Sequence, residues 1–316
     1  MSRGKRTRKS PRQYYRLSRG ATPTLRPGEL LLEHIRDDEF FKLQEHGKSL
    51  STYHNQLFYE LEGQRAAASN QIRTALQSIP GVTVCVDSWC RQVKTRYASN
   101  PLCCFGSILS SGRFNYGSDL DSRFPRFPAL YIAENRATAH CEMFQLSSAD
   151  TSKLSVEELN FQPSVSIAAY SLRGQVSQVF DLTVEANLLP FIEVTKTFTL
   201  SAELRKMENA WGIGKRSVAG SPTQLLNTFM DKDWRAYPMY ADIPANSQVF
   251  GSLLADAGFE AVLYKSIRQG QGKAMAIFTR NLALSNSVIR IADPPQHATL
   301  TEASKDTYKL LEQGPQ

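Results

Sequence analysis

The sequence lacks any hydrophobic run long enough to cross a membrane. A membrane-spanning helix needs roughly 18 or more consecutive apolar residues, and no such run occurs in the 316 positions. The basic N-terminal segment is also not followed by the apolar stretch that a secretory signal peptide requires. We therefore expect a cytoplasmic protein with no membrane segment.

Metal-binding and thiol-redox motifs are missing as well. The five cysteines show no Cys-x-x-Cys spacing, and the five histidines are scattered. The tripeptide at residues 140–142 is similar to the His-x-Glu of zinc deaminases, but these enzymes need a later Cys-x-x-Cys, and no cysteine follows Cys141. An odd number of cysteines favours reduced thiols in a cytoplasm. We predict no metal and no bound cofactor.

Two further catalytic motifs are incomplete or absent. Gly214-Lys215 and Gly272-Lys273 lack the glycine five positions earlier and the hydroxyl residue directly afterwards that a phosphate-binding loop needs. No G-x-S-x-G elbow of a serine hydrolase occurs anywhere in the chain. The sequence therefore argues against both a P-loop nucleotidase and a hydrolase of that fold.

Acidic residues are absent from residues 1–28, which hold nine Lys or Arg side chains. Subtracting these nine from the net charge of +7 leaves −2 for the remainder, so the basicity belongs to a tail. The tail is rich in Arg, Ser and Pro without hydrophobic periodicity, which predicts a disordered arm. Such an arm could contact nucleic acid or anionic lipid through nonspecific charge, or it could have no partner.

The rest of the chain shows globular patterns. Residues 29–80 carry apolar side chains at spacings of three and four, which predicts two or three helices ended by Pro80-Gly81. The apolar positions expected to face inward or onto the next domain are Leu57, Leu61, Ile72 and Leu76. Residues 81–285 mix β-branched strands with helices and form the predicted main domain, while residues 286–316 form a polar tail with one short helix near 301–312.

Several elements are predicted within the main domain. A strand is expected over residues 82–97, and the segments 164–172 and 176–183 on either side of Gly174 are expected to form a hairpin. A helix is predicted over 201–211, with Leu204, Met207 and Trp211 on one face and Gly212 at its end. A second helix is predicted over 247–257, with Val249, Leu253 and Ala257 on one face and Gly258 at its end. Residues 261–279 are predicted to form a hairpin.

Residues 111–146 carry the most informative pattern: a Gly-Arg turn, a proline-rich loop, the apolar strand 129–133 and a helix. Asn135 precedes the periodic helical residues, and a short polar side chain there can cap the first free N–H groups. The predicted buried face of this helix consists of Ala137, Cys141 and Phe144. The turn, strand and helix thus supply an arginine, a tyrosine and a carboxylate, which are Arg113, Tyr131 and Glu142.

This arrangement resembles the RES domain family, which is named for an arginine, a glutamate and a serine. The family has a G-R-[WF]-N turn, here residues 112–115, a strand of the L-Y-x-A type, here residues 130–133, and a helix that carries the glutamate, here Glu142. A further arginine of the family matches Arg91, and the family serine, which follows a helix and a Gly-Phe pair, matches Ser266.

The resemblance implies an α+β fold similar to that of ADP-ribosyltransferases, with split mixed β-sheets and flanking helices. Residues 29–80 would add an N-terminal helical extension to it. The implied activity is consumption of NAD as a substrate, as an NAD phosphorylase that uses inorganic phosphate, as a glycohydrolase, or as a protein ADP-ribosyltransferase. Several members are bacterial toxins restrained by an antitoxin with an Xre-type helix-turn-helix region, so such an antitoxin is an expected partner.

The resemblance also implies a role for each matching residue. Arg91 and Arg113 would bind the phosphates of NAD, and Tyr131 would pack on the nicotinamide. Glu142 would be the catalytic carboxylate, with Arg113 and Tyr131 in the catalytic set, and Ser266 would hydrogen-bond the substrate.

These residue types suit cleavage of the nicotinamide–ribose bond without a metal. The leaving group is already a cationic pyridinium, so no strong general acid is required. A fixed carboxylate stabilises the oxocarbenium-like charge on the ribose more strongly in the transition state than in the ground state. A rival interpretation from another class is a non-catalytic binding protein that contacts nucleic acid through its basic arm.

Overall fold

The computed structural model describes residues 37–144, 166–211, 218–270 and 272–314. The predicted basic arm and the predicted helix end at Gly212 lie outside the described residues. Among the residues that the structure describes, no helix combines the length and apolarity needed to cross a membrane. The chain divides into two compact units, the first made of residues 1–67 and 197–218 and the second of residues 68–196 and 219–316.

The helices and strands alternate irregularly along the chain. The helices are α1 (Asp37–Ala67), α2 (Ser69–Gln77), α3 (Phe105–Leu109), α4 (Arg136–Phe144), α5 (Leu189–Thr195), α6 (Ala202–Trp211), α7 (Pro222–Phe229) and α8 (Asn246–Asp256). The strands are β1 (Val82–Lys94), β2 (Ala129–Ala133), β3 (Ile167–Asp181), β4 (Ala261–Lys265), β5 (Lys273–Phe278), β6 (Val288–Ile291) and β7 (Glu302–Ala303). The expected α+β class is confirmed.

All of these strands lie in the second unit and form one mixed sheet in the order β1-β2-β5-β4-β3-β6-β7. The β3–β4 pair is parallel and the other pairs are antiparallel. Because β1 also pairs with β3, the strands β1-β2-β5-β4-β3 close into a ring. The described strands therefore form a single sheet, where split sheets were expected.

The core of the second unit consists of apolar side chains from the strands and the loops beside them. Leu130, Leu172, Val176, Met275 and Ile277 are fully buried together. Burial of such side chains stabilises a fold by about 1.5–3 kcal/mol each. The ring of strands therefore provides a rigid support for the residues at its edges.

The first unit pairs α1 with the segment that contains α6. The Tyr53 hydroxyl donates a 3.3 Å hydrogen bond to the Glu208 carboxylate, and Gln64 bonds the backbone N–H and carbonyl of Thr199. Leu61 is buried as predicted, whereas Leu57 is only half-buried and its neighbour Phe58 takes the inward position. In the second unit, the predicted inward residues Ile72 and Leu76 of α2 are fully buried.

The predicted hairpin around Gly174 is wrong, because β3 runs without interruption through this residue. Gly174 adopts φ +139°, and a Cβ atom built on it would lie 2.0 Å from the carbonyl oxygen of Val288. The glycine therefore permits close approach of β6 rather than a chain reversal. Both β6 and β7 lie after residue 286, in the segment expected to be a polar tail.

The N-cap predicted for α4 is confirmed, but its predicted buried face is wrong in part. The Asn135 side-chain oxygen accepts a 2.9 Å hydrogen bond from the Thr138 N–H. Thr138, Ala139 and Cys141 are buried, while Ala137 is exposed. Because the Thr138 hydroxyl bonds both Asn135 and Gln269, a polar residue can take a buried position that hydrophobic periodicity does not reveal.

Candidate active site

A cavity of about 420 Å³ in the second unit is lined by residues from β1, β2, α3, α4 and the loop after α7. Arg91, Arg113, Tyr131 and Glu142 all contribute to its wall. Ser266 does not line the cavity but contacts Glu142 directly. The fold therefore brings the five sequence-predicted site residues to one place.

The carboxylate of Glu142 is held by two hydroxyl groups from β4 and its end. Oε1 accepts a 2.6 Å hydrogen bond from the Ser266 hydroxyl, and Oε2 accepts a longer 3.5 Å bond from the Tyr264 hydroxyl. Ser266 and Tyr264 are each 2 % exposed. Burial raises the pKa of Tyr264 well above its ordinary value, and the neighbouring Glu142 raises it further, so the phenol stays protonated and able to donate.

The Ser266 hydroxyl has no capacity left for another partner. It donates to Glu142 and accepts hydrogen bonds from the backbone N–H groups of Arg268 (3.2 Å) and Gln269 (3.1 Å). A hydroxyl has one donor and two acceptor lone pairs, and all three are in use. The position of the Ser266 hydroxyl is thus fixed by the turn after β4.

Arg113 is 3 % exposed, and within the described residues only one of its three nitrogen atoms donates a hydrogen bond. Nη1 donates to the backbone carbonyl of Asp231 at 2.7 Å and, more weakly, to that of Phe229 at 3.4 Å. Nε and Nη2 are buried and have no hydrogen-bond partner among the described residues. Burial lowers the pKa of Arg113, although nearby Tyr264 and Glu142 oppose this shift. A buried donor without an acceptor costs about 1–3 kcal/mol, so a bound anion that accepts from these donors would remove this free-energy cost.

The turn that carries Arg113 is tied to β2 through the Tyr131 hydroxyl. This hydroxyl donates to the Asn115 side-chain oxygen and accepts from the Phe114 N–H, both at 2.9 Å. A Cβ atom on Gly112 would lie 2.3 Å from the same hydroxyl, which explains the need for glycine. The Tyr131 hydroxyl therefore has no proton left to donate to a ligand, and the half-buried residue lines the cavity.

The Arg91 guanidinium bonds three backbone carbonyl groups. Nε donates to Pro101 at 2.5 Å, Nη1 to Tyr131 at 2.9 Å and Nη2 to Cys103 at 2.8 Å. Burial lowers the pKa of Arg91. These contacts tie β1 to β2 and to the segment before α3, and they leave two of the five N–H groups of the side chain for other partners.

Sequence reasoning missed several residues of the cavity wall, among them Trp234, Arg235 and Tyr264. Trp234 is 2 % exposed and Arg235 is exposed. Tyr264 could have been found, because it lies two positions before Ser266 and residues two apart share one side of a strand. Trp234 and Arg235 follow α7 in a loop without hydrophobic periodicity. The only sequence signal for them is an aromatic residue directly before an arginine.

The charges around the cavity are strongly unbalanced. One carboxylate, Glu142, lines it, together with the cations Arg91, Lys94, Arg96, Arg113 and Arg235. A wall of this composition attracts anionic ligands. Across the described ranges, no group of three or more His, Cys, Asp or Glu side chains is placed to hold a metal ion.

Comparison with protein families agrees with the sequence motifs. The model of the RES domain matches residues 88–300. The chain belongs to the RES domain family. No curated protein sequence matches this RES protein. Among solved structures, it is similar to a chain described as "Crystal structure of the M.tuberculosis MbcT-MbcA toxin-antitoxin complex", with 12 % identity, a TM-score of 0.40, and coverage of 77 % of this chain and 97 % of that chain. All five predicted site residues of this RES protein lie within the matched range.

Proposed function

We propose that this RES protein consumes NAD by cleaving its nicotinamide–ribose bond, as a phosphorylase or a glycohydrolase. The observation that carries the proposal is the pairing of Glu142, held by Ser266 and Tyr264, with the cation Arg113 in one cavity. A carboxylate beside a cation suits a substrate that develops positive charge at its ribose and carries negative charge at its diphosphate.

Glu142 stabilises the oxocarbenium-like ribose in this proposal. The hydroxyl groups of Ser266 and Tyr264 keep the carboxylate in one orientation, so little reorganisation accompanies the reaction. Nicotinamide leaves as a neutral molecule from a cationic pyridinium, and the half-buried Tyr131 ring packs on it before departure. No proton has to be delivered to the leaving group.

Arg113 binds the diphosphate in this proposal. Its Nε and Nη2 groups form one edge of the guanidinium, and this edge can bond two oxygen atoms of one anion. Binding would supply the acceptors that these buried donors lack within the described part of the chain. The interaction therefore contributes to affinity and also removes the free-energy cost of the unpaired buried donors in the unliganded site.

Ser266 and Arg91 act by positioning in this proposal. The hydroxyl of Ser266 has every donor and acceptor site in use, so its effect on the substrate passes through Glu142. Arg91 holds three backbone carbonyls around the cavity. The direct substrate contacts that the sequence implied for both residues remain predictions.

The excess of positive charge on the cavity wall favours inorganic phosphate as the acceptor. The wall has enough cations to bind a phosphate ion in addition to the diphosphate of NAD. Phosphorolysis would give a ribosyl phosphate product, whereas hydrolysis would give free ADP-ribose.

From the family resemblance we also propose that the protein acts as a bacterial toxin and that an Xre-type antitoxin restrains it. The nucleic-acid contact of residues 1–28 stays a prediction from charge.

The test is nicotinamide release from NAD by the purified full-length protein, with and without inorganic phosphate. Release that requires phosphate indicates a phosphorylase, release without it a glycohydrolase, and label on a protein a transferase. Glu142→Gln should lower the rate roughly a hundredfold or more, while the matched exchange Glu203→Gln on α6, outside the cavity, should leave it unchanged. Equal rates for Glu142→Gln and the wild type would refute the proposal.

A further inference from the structure

Arg235 and Arg113 contact the same indole ring in the cavity wall. The Cζ atom of Arg235 lies 4.6 Å from the ring centroid of Trp234, and that of Arg113 lies 5.7 Å from it. Trp234 is 2 % exposed, so the protein fixes its ring. Cation–π contacts of this length attract guanidinium groups by about 0.5–2 kcal/mol. The indole therefore holds two cations on one wall of one cavity.

These two cations repel each other. Arg235 is exposed as a whole residue, but the cavity wall partly desolvates its guanidinium, and this desolvation and the charge of Arg113 both lower the pKa of Arg235. Within the described ranges, neither guanidinium forms an ion pair with a carboxylate. Glu142 lies in the same cavity, but two like charges without an ion-pair partner among the described residues favour binding of an anion with oxygen atoms for both, and a diphosphate has this form.

We infer that Arg235 is the second diphosphate-binding residue of the site, acting with Arg113 around the Trp234 indole. This inference rests on the proposed NAD-consuming function. Arg113 is buried and fixed by the carbonyls of Asp231 and Phe229, whereas Arg235 is exposed on a long flexible side chain. Arg113 thus presents a preformed edge, and Arg235 closes on the anion from the solvent side.

Arg91 is less suited to this task than Arg235. Three of the five N–H groups of Arg91 already bond backbone carbonyls, so only two remain for an anion. The Arg235 guanidinium forms no hydrogen bond with the described residues, and the exposed side chain can present its N–H groups to an anion. Because Arg235 supplies the second cation for the diphosphate, it determines selectivity for a substrate with a diphosphate over one with a single phosphate.

The test compares Arg235→Gln with the wild type in the full-length protein. We expect KM for NAD and the dissociation constant for ADP-ribose to rise roughly tenfold to a hundredfold, as for loss of a charge-assisted hydrogen bond, with kcat nearly unchanged. Selectivity for NAD over nicotinamide mononucleotide should fall by a similar factor. Arg173→Gln, an exposed arginine of β3 outside the cavity lining, is the matched control and should change neither constant.

Unchanged KM and unchanged ADP-ribose affinity in Arg235→Gln would overturn the inference, and so would a fall in kcat alone. Arg235→Lys keeps the charge without the planar fork, so it should bind ADP-ribose with intermediate affinity. If Arg235→Gln does not fold, wild-type affinity in Arg235→Lys overturns the inference. A wild-type protein that releases no nicotinamide refutes the proposed function instead, and calorimetric titration with inorganic diphosphate then still tests whether Arg235 binds this anion.

Discussion

The hydroxyl of Ser266 donates a 2.6 Å hydrogen bond to the carboxylate of Glu142, although 124 positions separate the two residues along the chain. Glu142 lies on α4, and Ser266 follows β4. The ring of strands connects the two, because β4 and β2, which precedes α4, are both strands of the ring and both pair with β5. The sheet thus connects the carboxylate with the hydroxyl that orients it.

Replacement of this hydroxyl separates a positioning role from a substrate contact. Ser266→Ala should lower kcat for NAD cleavage about tenfold to a hundredfold, because a hydrogen bond to a charged group is lost. KM should stay nearly constant if Ser266 acts only through Glu142. Ser266→Thr keeps the hydroxyl and should recover part of the rate. A rise in KM without a fall in kcat would favour the direct substrate contact that the sequence implied.

Gly112 provides a test of the turn that presents Arg113. Gly112→Ala should lower the free energy of unfolding by about 1–3 kcal/mol, because the added methyl group would overlap the Tyr131 hydroxyl. The control is Gly63→Ala within α1, where a Cβ atom meets nothing within 4 Å. There alanine should raise the stability by about 0.5–1 kcal/mol. Urea unfolding of both variants measures the difference, and equal stabilities would contradict the proposed overlap.

Cys104 should make the protein less stable at alkaline pH. Burial raises the pKa of its thiol from 9.0 to about 12, with the nearby Arg91 opposing this shift. Between these values the unfolded chain loses the thiol proton while the folded chain keeps it, so the free energy of unfolding falls as pH rises. This stabilising contribution is fully present below pH 9.0. Above pH 9.0 it is lost at roughly 1 kcal/mol for each pH unit.

Urea unfolding below and above pH 9.0 measures this contribution. Cys104→Ala should show a shallower decline than the wild type, since the titrating thiol is gone. Cys85→Ala is the control, because Cys85 is exposed and its removal should leave the decline unchanged. Parallel declines for all three proteins would show that the Cys104 thiol is not the group responsible.

Where the cause of a structure is local, sequence reasoning predicted it. The strand β2 and the N-cap of α4 were placed correctly, because the Asn135 side chain bonds an N–H only three residues away. The end of α8 at Gly258 was also predicted, since this residue adopts φ +95°, a conformation that glycine favours. The residues of the RES motifs followed from the same short-range order.

Where the cause is a distant part of the chain, sequence reasoning failed. The strand pattern on either side of Gly174 predicts a hairpin, yet this glycine permits the approach of Val288, more than a hundred positions later. The sequence after residue 286 predicts a polar tail with one short helix near 301–312, but pairing with β3 makes β6 a strand. In each case the partner, and not the local propensity, determined the backbone.

By itself, the sequence determined the residue types of the site and the elements that carry Arg113, Tyr131 and Glu142, because turns, caps and strand patterns are encoded over a few positions. Only the tertiary structure decided which donors remain available. Ser266 is fully used by Glu142 and by its own turn, whereas Arg113 retains two buried donors without a partner among the described residues. Hydrogen-bond capacity is shared among groups that meet in space, and their spacing along the chain does not record how it is shared.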